Sequence, residues 1–128
     1  MIKEEYFYTK DHEWVSVDGD GATVGITDFA QTELGEIVFV ELPKIGQQLR
    51  QKDSFCVLES TKAASDVYAP LQGMVQAVNT DLVDSPNLVN TDPYGKGWIV
   101  KLEGIEKSQI NSLMDASAYK AFISESEK

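Results

Sequence analysis

A small, mainly β fold, closed or sandwiched, with helices at its margins, is what this chain predicts. Three observations carry that expectation. Short β-branched and aromatic runs recur along most of the chain, each ended by Gly, Pro, Asp or Asn. An Asp-Gly-Asp-Gly cluster separates two of these runs in the manner of a hairpin turn. Only the tail changes period, with apolar residues at spacings of three and four.

The elements follow in order. Trp14 to Val17 and Ala22 to Ile26 read as strands joined through Asp18–Gly21. Residues 27–35 read as a short helix, with Thr27 or Asp28 as its cap and Gly35 as its stop. Glu36 to Pro43 is a strand ended by proline, and Ile45 to Asp53 a polar loop. Strands are expected at Phe55–Ser60, Asp66–Pro70, Met74–Asn79 and Gly97–Glu103, with an excursion of loops over Thr80–Gly97. A helical tail spans about 108–125, where Asp115 or Ser117 can cap a second segment, and the terminal Ser-Glu-Ser-Glu-Lys is expected to fray. Pro-x-x-Gly occurs at Pro43–Gly46 and again at Pro70–Gly73, an echo that fits two similar halves.

The 128 residues suit one domain, 1–128, with a proper core. A net charge of -10 repels phosphate backbones, which argues against nucleic-acid binding and favours partners with basic patches. Cys56 is the single cysteine, so a disulfide framework within the chain is excluded. No apolar run approaches a membrane span, and the first residues lack a signal core or Arg-rich leader. The expected location is cytoplasmic, or the mitochondrial matrix only if a leader was removed.

Catalytic and metal motifs are wanting. His12 is the single histidine, which excludes two-histidine metal sites on count. Cys56 sits in the apolar run FCVL and reads as a buried structural thiol. Glu33, Glu36 and Glu41 read as solvated surface, and Asp81, Asp84 and Asp92 lack calcium-loop spacing. No phosphate-binding or dinucleotide fingerprint is present, so the chain is expected to be no enzyme. Any chemistry must come from an attached group.

Lys62 is where such a group would sit. It occupies the tip of a tight turn between two strand-like runs, beside the small residues Ala63, Ala64 and Ser65. A covalent carrier needs one reachable amine, a rigid turn to present it, and neighbours small enough for a modifying enzyme to grip. Acylation would remove the charge and make the side chain the base of a longer arm. On the residues alone, an ordinary surface lysine is the default reading.

The surrounding blocks bear on that choice. YTKDHEWV (8–15), VGITDFAQTELGEIVFVELPKIG (24–46), LESTKAASDVYAPLQGMVQAVN (58–79) and LVNTDPYGKGWIVKL (88–102) stand in one order along nearly the whole chain. In these blocks the chain closely resembles the H proteins of the glycine cleavage system, a family of lipoyl carriers. The resemblance implies a flattened hybrid β-barrel/sandwich of the lipoyl/biotinyl-carrier type, with peripheral helices and a C-terminal helix. It implies lipoic acid held covalently as an amide on Lys62. It implies a cycle in which the arm takes an aminomethyl group from glycine decarboxylase (P protein) and hands it to aminomethyltransferase (T protein). Dihydrolipoamide dehydrogenase (L protein) then reoxidises the dithiol. Lipoate ligase or an octanoyl/lipoyl transferase would load Lys62. The loaded arm is expected to shelter in a cleft of the carrier.

Glu13 matches a family residue of that cleft, where a carboxylate would hold the amine at the end of the arm. Glu13 reads equally well as a surface charge beside the core anchor Trp14. Asp66 and Phe29 complete the cleft candidates, with Asp66 favoured as a turn or docking residue, while Trp98 and Tyr94 are expected to pack. The chain departs from family habit at Phe29, where relatives have His, and at Thr61, where they have Val. Lys52 and Cys56 stand where glycines are common. Two other readings stay open: a lipoyl relay outside glycine cleavage, and an unmodified β-rich interaction module. A biotin carrier fits less well, because Thr61 and Ala63 flank the lysine instead of methionines.

Overall fold

The computed structural model describes residues 2–126. Among these described residues, nine strands lie in two antiparallel sheets. The chain opens with β1 (Phe7–Tyr8), then the hairpin β2 (Glu13–Asp18) and β3 (Gly21–Ile26) around the Asp/Gly turn. Helix α1 (Asp28–Leu34) follows, then β4 (Ile37–Glu41) and β5 (Gln48–Leu49). The hairpin β6 (Ser54–Ser60) and β7 (Ala64–Tyr68) leads to β8 (Gly73–Val78). After the short helices α2 (Asp81–Asp84) and α3 (Leu88–Thr91) comes β9 (Val100–Glu103). A 3-10 turn (Lys107–Ser112) and α4 (Ala116–Ser126) end the described chain. The larger sheet has the order β1-β2-β3-β9-β8-β5, the smaller β4-β6-β7.

Alternation builds the core. Val15, Val24, Ile37, Val40, Leu58, Val67, Val75, Val100 and Leu102 come from both sheets and are buried together. A second, aromatic cluster of Tyr8, Trp14 and Tyr119 anchors the tail, with Tyr94 and Trp98 packed against it as expected. Trp14 donates its indole N–H to the Pro93 carbonyl at 2.9 Å, so its buried ring has no stranded polar atom. Gly25 makes room for that ring, because a Cβ there would lie 2.7 Å from it.

Several expectations need correction. The polar segment 45–53 contains β5, whose Leu49 is buried and pairs with Gly73 of β8. Residues 80–97 hold two helices, because Leu82 and Val89 drive their single turns into the core. The last strand begins at Val100 and not at Gly97; Gly97 lies too close to the Leu88 carbonyl to bear a side chain. The strand expected at 66–70 runs instead over Ala64–Tyr68. The tail is broken: Met114 exchanges backbone hydrogen bonds with Tyr8, which separates the 3-10 turn from α4. Asp115 caps α4 by accepting from the Ala118 amide at 2.8 Å. The helix continues to Ser126, and the last residues of the expected frayed end, 127–128, lie outside the described residues. The two Pro-x-x-Gly motifs are not equivalent turns. Gly46 is left-handed (φ 89°), while Gly73 starts β8, and the strands that follow them pair with each other.

Candidate functional site

The tip between β6 and β7 is tied down on every side. The Ser60 hydroxyl accepts from the amides of Lys62 and Ala63, each at 3.1 Å, and donates to the Ala63 carbonyl. The Ser60 amide donates to the same carbonyl at 2.8 Å. The Thr61 amide donates to the Glu36 carbonyl at 3.1 Å, which staples the tip to the start of β4. Lys62 itself is exposed, with Thr61, Ala63 and Ala64 exposed around it. A serine that folds its hydroxyl back onto the turn makes a stiff mount.

The Lys62 amine leans toward the end of α1, donating to the Glu33 carbonyl at 3.3 Å. That carbonyl belongs to the last turn of the helix, where partial negative charge collects. Gly35 ends the helix at φ 82° and lies under the lysine stem; a Cβ on it would sit 3.0 Å from Lys62 Cε.

From α1 a concavity of about 140 Å³ runs inward. Its apolar wall is Ile26, Ala30, Leu34, Leu58 and Val67, and its polar groups include Asp11, Glu13, Glu33 and Asp66. Glu13 is 2% exposed, so it is not the surface charge of the alternative reading. The Thr9 hydroxyl donates to one Glu13 oxygen, and the Tyr68 amide to the other at 3.0 Å. The amides of Asp11 and Glu13 donate back to the Thr9 hydroxyl, fixing the whole turn. Burial pushes the Glu13 carboxyl up to about 7, against the lowering effect of those hydrogen bonds.

Asp66 lies on β7 opposite Val57, and the Ser54 hydroxyl donates to it at 3.0 Å. It lines the same concavity as Glu13. Phe29 does not line the wall. It stands behind His12, with ring centroids 4.6 Å apart. His12 adopts a left-handed backbone (φ 68°), and its Nδ1 is 2.8 Å from the Tyr119 hydroxyl. Burial lowers the His12 pKa, which keeps the ring neutral near pH 7 and the sign of the concavity negative. A larger groove of about 320 Å³ also reaches Glu13, lined by Lys10, Gln51, Lys52 and Met114 among others. Only the smaller concavity shares Glu33 and Leu34 with the helix end on which Lys62 rests.

The arrangement fits a slender acyl arm with a cationic end. It offers an exposed amine on a rigid tip, an apolar channel beside it, and a buried carboxyl set among further carboxylates. The sequence reading missed Thr9 and Asp11; it took Glu33 as solvated surface, and Glu33 is exposed while also lining the concavity. Thr9 stands four residues before Glu13 in one block, a spacing that a turn can close. No group of acidic, His or Cys side chains suited to a metal occurs among the described residues.

Comparison with known proteins points one way. A family model described as glycine cleavage H-protein matches residues 6–126. A glycine cleavage system H protein of Methylacidiphilum infernorum is 51% identical over 126 residues, covering 98% of each chain. One from Bradyrhizobium diazoefficiens is 54% identical over 114 residues, 89% of this chain and 93% of the other. The crystal structure of a glycine cleavage system H protein from Mycobacterium marinum superposes with a TM-score of 0.84 at 36% identity. It covers 99% of this chain and 100% of the other.

Proposed function

The chain belongs to the glycine cleavage H-protein family, and on that premise we propose that Lys62 is the point at which it carries its lipoyl group. The chain is a lipoyl carrier of glycine cleavage, with the two-sheet architecture of that family. The observation that supports the site is the Lys62 tip itself: an exposed amine on a turn locked by Ser60, resting on the helix end that lines a concavity with a buried carboxyl.

When bound, the lipoyl group supplies the disulfide–dithiol couple that takes up the aminomethyl unit of glycine and later returns its electrons. Every other task belongs to the chain's own side chains. Lys62 gives the amide nitrogen and a flexible stem, and Ser60 holds the backbone under it. Ile26, Ala30, Leu34, Leu58 and Val67 exclude water from the channel. Glu13 accepts a hydrogen bond from an ammonium group entering that channel, and the attraction draws its carboxyl into the ionised form. Asp11, Glu33 and Asp66 add to the negative field, and Phe29 backs the neutral His12.

In this reading, residues 1–128 are one carrier domain that contributes no catalytic group. The P, T and L proteins are its partners, a lipoate ligase or octanoyl/lipoyl transferase loads it, and bacterial relatives support a cytoplasmic setting. The test is glycine decarboxylation with purified P, T and L proteins. The lipoylated chain is expected to support carbon dioxide release, and Lys62→Ala to support none. A Lys62→Ala chain as active as the parent would refute the assignment.

A further inference from the structure

β4 departs from alternation on its exposed side, with the burial order buried, exposed, exposed, buried, exposed. Its register against β6 shifts between Ile37 and Phe39, so Val38 is the extra residue of a bulge. The consequence is two consecutive apolar side chains in solvent: Val38 is 51% exposed and Phe39 50%. Ile37 and Val40 on either side stay buried. β4 is also an edge of its sheet, where exposed apolar residues invite unwanted pairing and are usually avoided. A bulge kept at such a position points to a surface in use.

The stretch of chain around it is acidic. Glu36 and Glu41 flank the bulge and are exposed, and no lysine or arginine occurs between Lys10 and Lys44. The Thr61–Glu36 hydrogen bond holds this edge rigidly beside the Lys62 tip. Resting on the reading of Lys62 as the acylated residue, we propose that Val38 and Phe39 dock the enzyme that loads Lys62. That enzyme would present an apolar recess rimmed by lysine or arginine.

Reach decides between this occupant and the others. An unmodified lysine extends only by its own side chain, so an enzyme acting on its bare amine must cover the ground next to the tip. Enzymes that meet a loaded arm can stand further away. In the loading step the free amine of Lys62 attacks the carbonyl carbon of an acyl nucleotide, a carboxylic–phosphoric mixed anhydride formed from lipoate and ATP and held by the enzyme. The C–N bond forms and the acyl C–O bond of the anhydride breaks. The leaving group departs with its electron pair, and the amine gives one proton to solvent.

The experiment follows lipoyl addition by intact mass, with purified lipoate–protein ligase, lipoate and ATP, at limiting chain concentration. The Val38→Ser/Phe39→Ser chain is expected to load at least tenfold more slowly, through a higher KM. Glu36→Lys/Glu41→Lys keeps the apolar pair and is expected to slow loading likewise, while the parent's rate falls as salt rises. Ile45→Ser removes a still more exposed apolar group, in the connection between β4 and β5, and should leave the rate unchanged. Parental rates in both double variants overturn the proposal, as does equal slowing by Ile45→Ser. Sedimentation should find a monomer; a dimer that the apolar double variant dissolves without slower loading would place a second copy there and overturn it too. A parent chain that gains no lipoyl group on Lys62 refutes the underlying reading instead.

Discussion

Glu13 sits where burial opposes its charge. Its carboxyl titrates near 7 in the folded chain against an ordinary 4.5, because desolvation outweighs the Thr9 and Tyr68 hydrogen bonds. The folded chain therefore holds a proton that the unfolded chain has released across that interval. Stability is full below about pH 4.5 and falls as pH rises through 7, by roughly 3 kcal/mol in all. Glu13→Gln should remove this slope. Urea unfolding from about pH 4.5 to about pH 8 should show parent and variant alike at the acid end, with the variant pulling ahead as pH rises. Parallel curves would contradict it. A carboxyl kept at such a cost suits a site awaiting a cation. Cys56 is shifted the same way. It is buried, and burial pushes its thiol up to about 12, so thiol reagents should label it only after denaturant opens the fold. Lys52 takes the left-handed backbone (φ 76°) that a glycine would adopt freely, which accommodates the departure at that position at some strain.

At the scale of elements, α1 is the joint between tail and site. Thr27 caps it by accepting from the Ala30 amide at 3.2 Å, and its hydroxyl lies 2.7 Å from that of Tyr119 on α4. Thr27→Val removes both contacts from a buried position. Chemical denaturation should show a loss of about 1–2 kcal/mol; an unchanged midpoint would mean that neither bond matters. The cap and the Gly35 stop were legible in the sequence because both act within a few residues. The β2–β3 hairpin and the β6–β7 hairpin were legible for the same reason: pattern and turn chemistry agree locally. The two-residue strands were not. β1 and β5 exist because other strands offer partners, Val15 and Trp14 of the neighbouring β2 for one and Gly73 and Met74 of the distant β8 for the other. The tail's apolar spacing announced helix, yet the Tyr8–Met114 exchange cut it into two pieces. The bulge in β4 was equally hidden, since IVFV reads as an unbroken strand.

Across the whole molecule, the two sheets and α1 line one concavity beside one amine, and the tail backs it through Tyr119 against His12 and Thr27. Lys62 was visible in the sequence as a lysine among small residues, and its block resemblance gave it a role. The Glu13 environment was not visible, because its burial depends on β7 bringing Tyr68 against it from far along the chain. The net charge of -10 leaves the surface suited to basic partners and poorly suited to nucleic acid. A carrier of this design has little use for further reactive groups, and its described residues offer no metal cluster. The central claim is tested most directly by peptide mass mapping after loading with a lipoate-attaching enzyme. A single lipoyl group is expected, on the peptide containing Lys62 and absent from Lys62→Ala. A lipoyl group on another lysine, or none under conditions that load a control carrier, would contradict it.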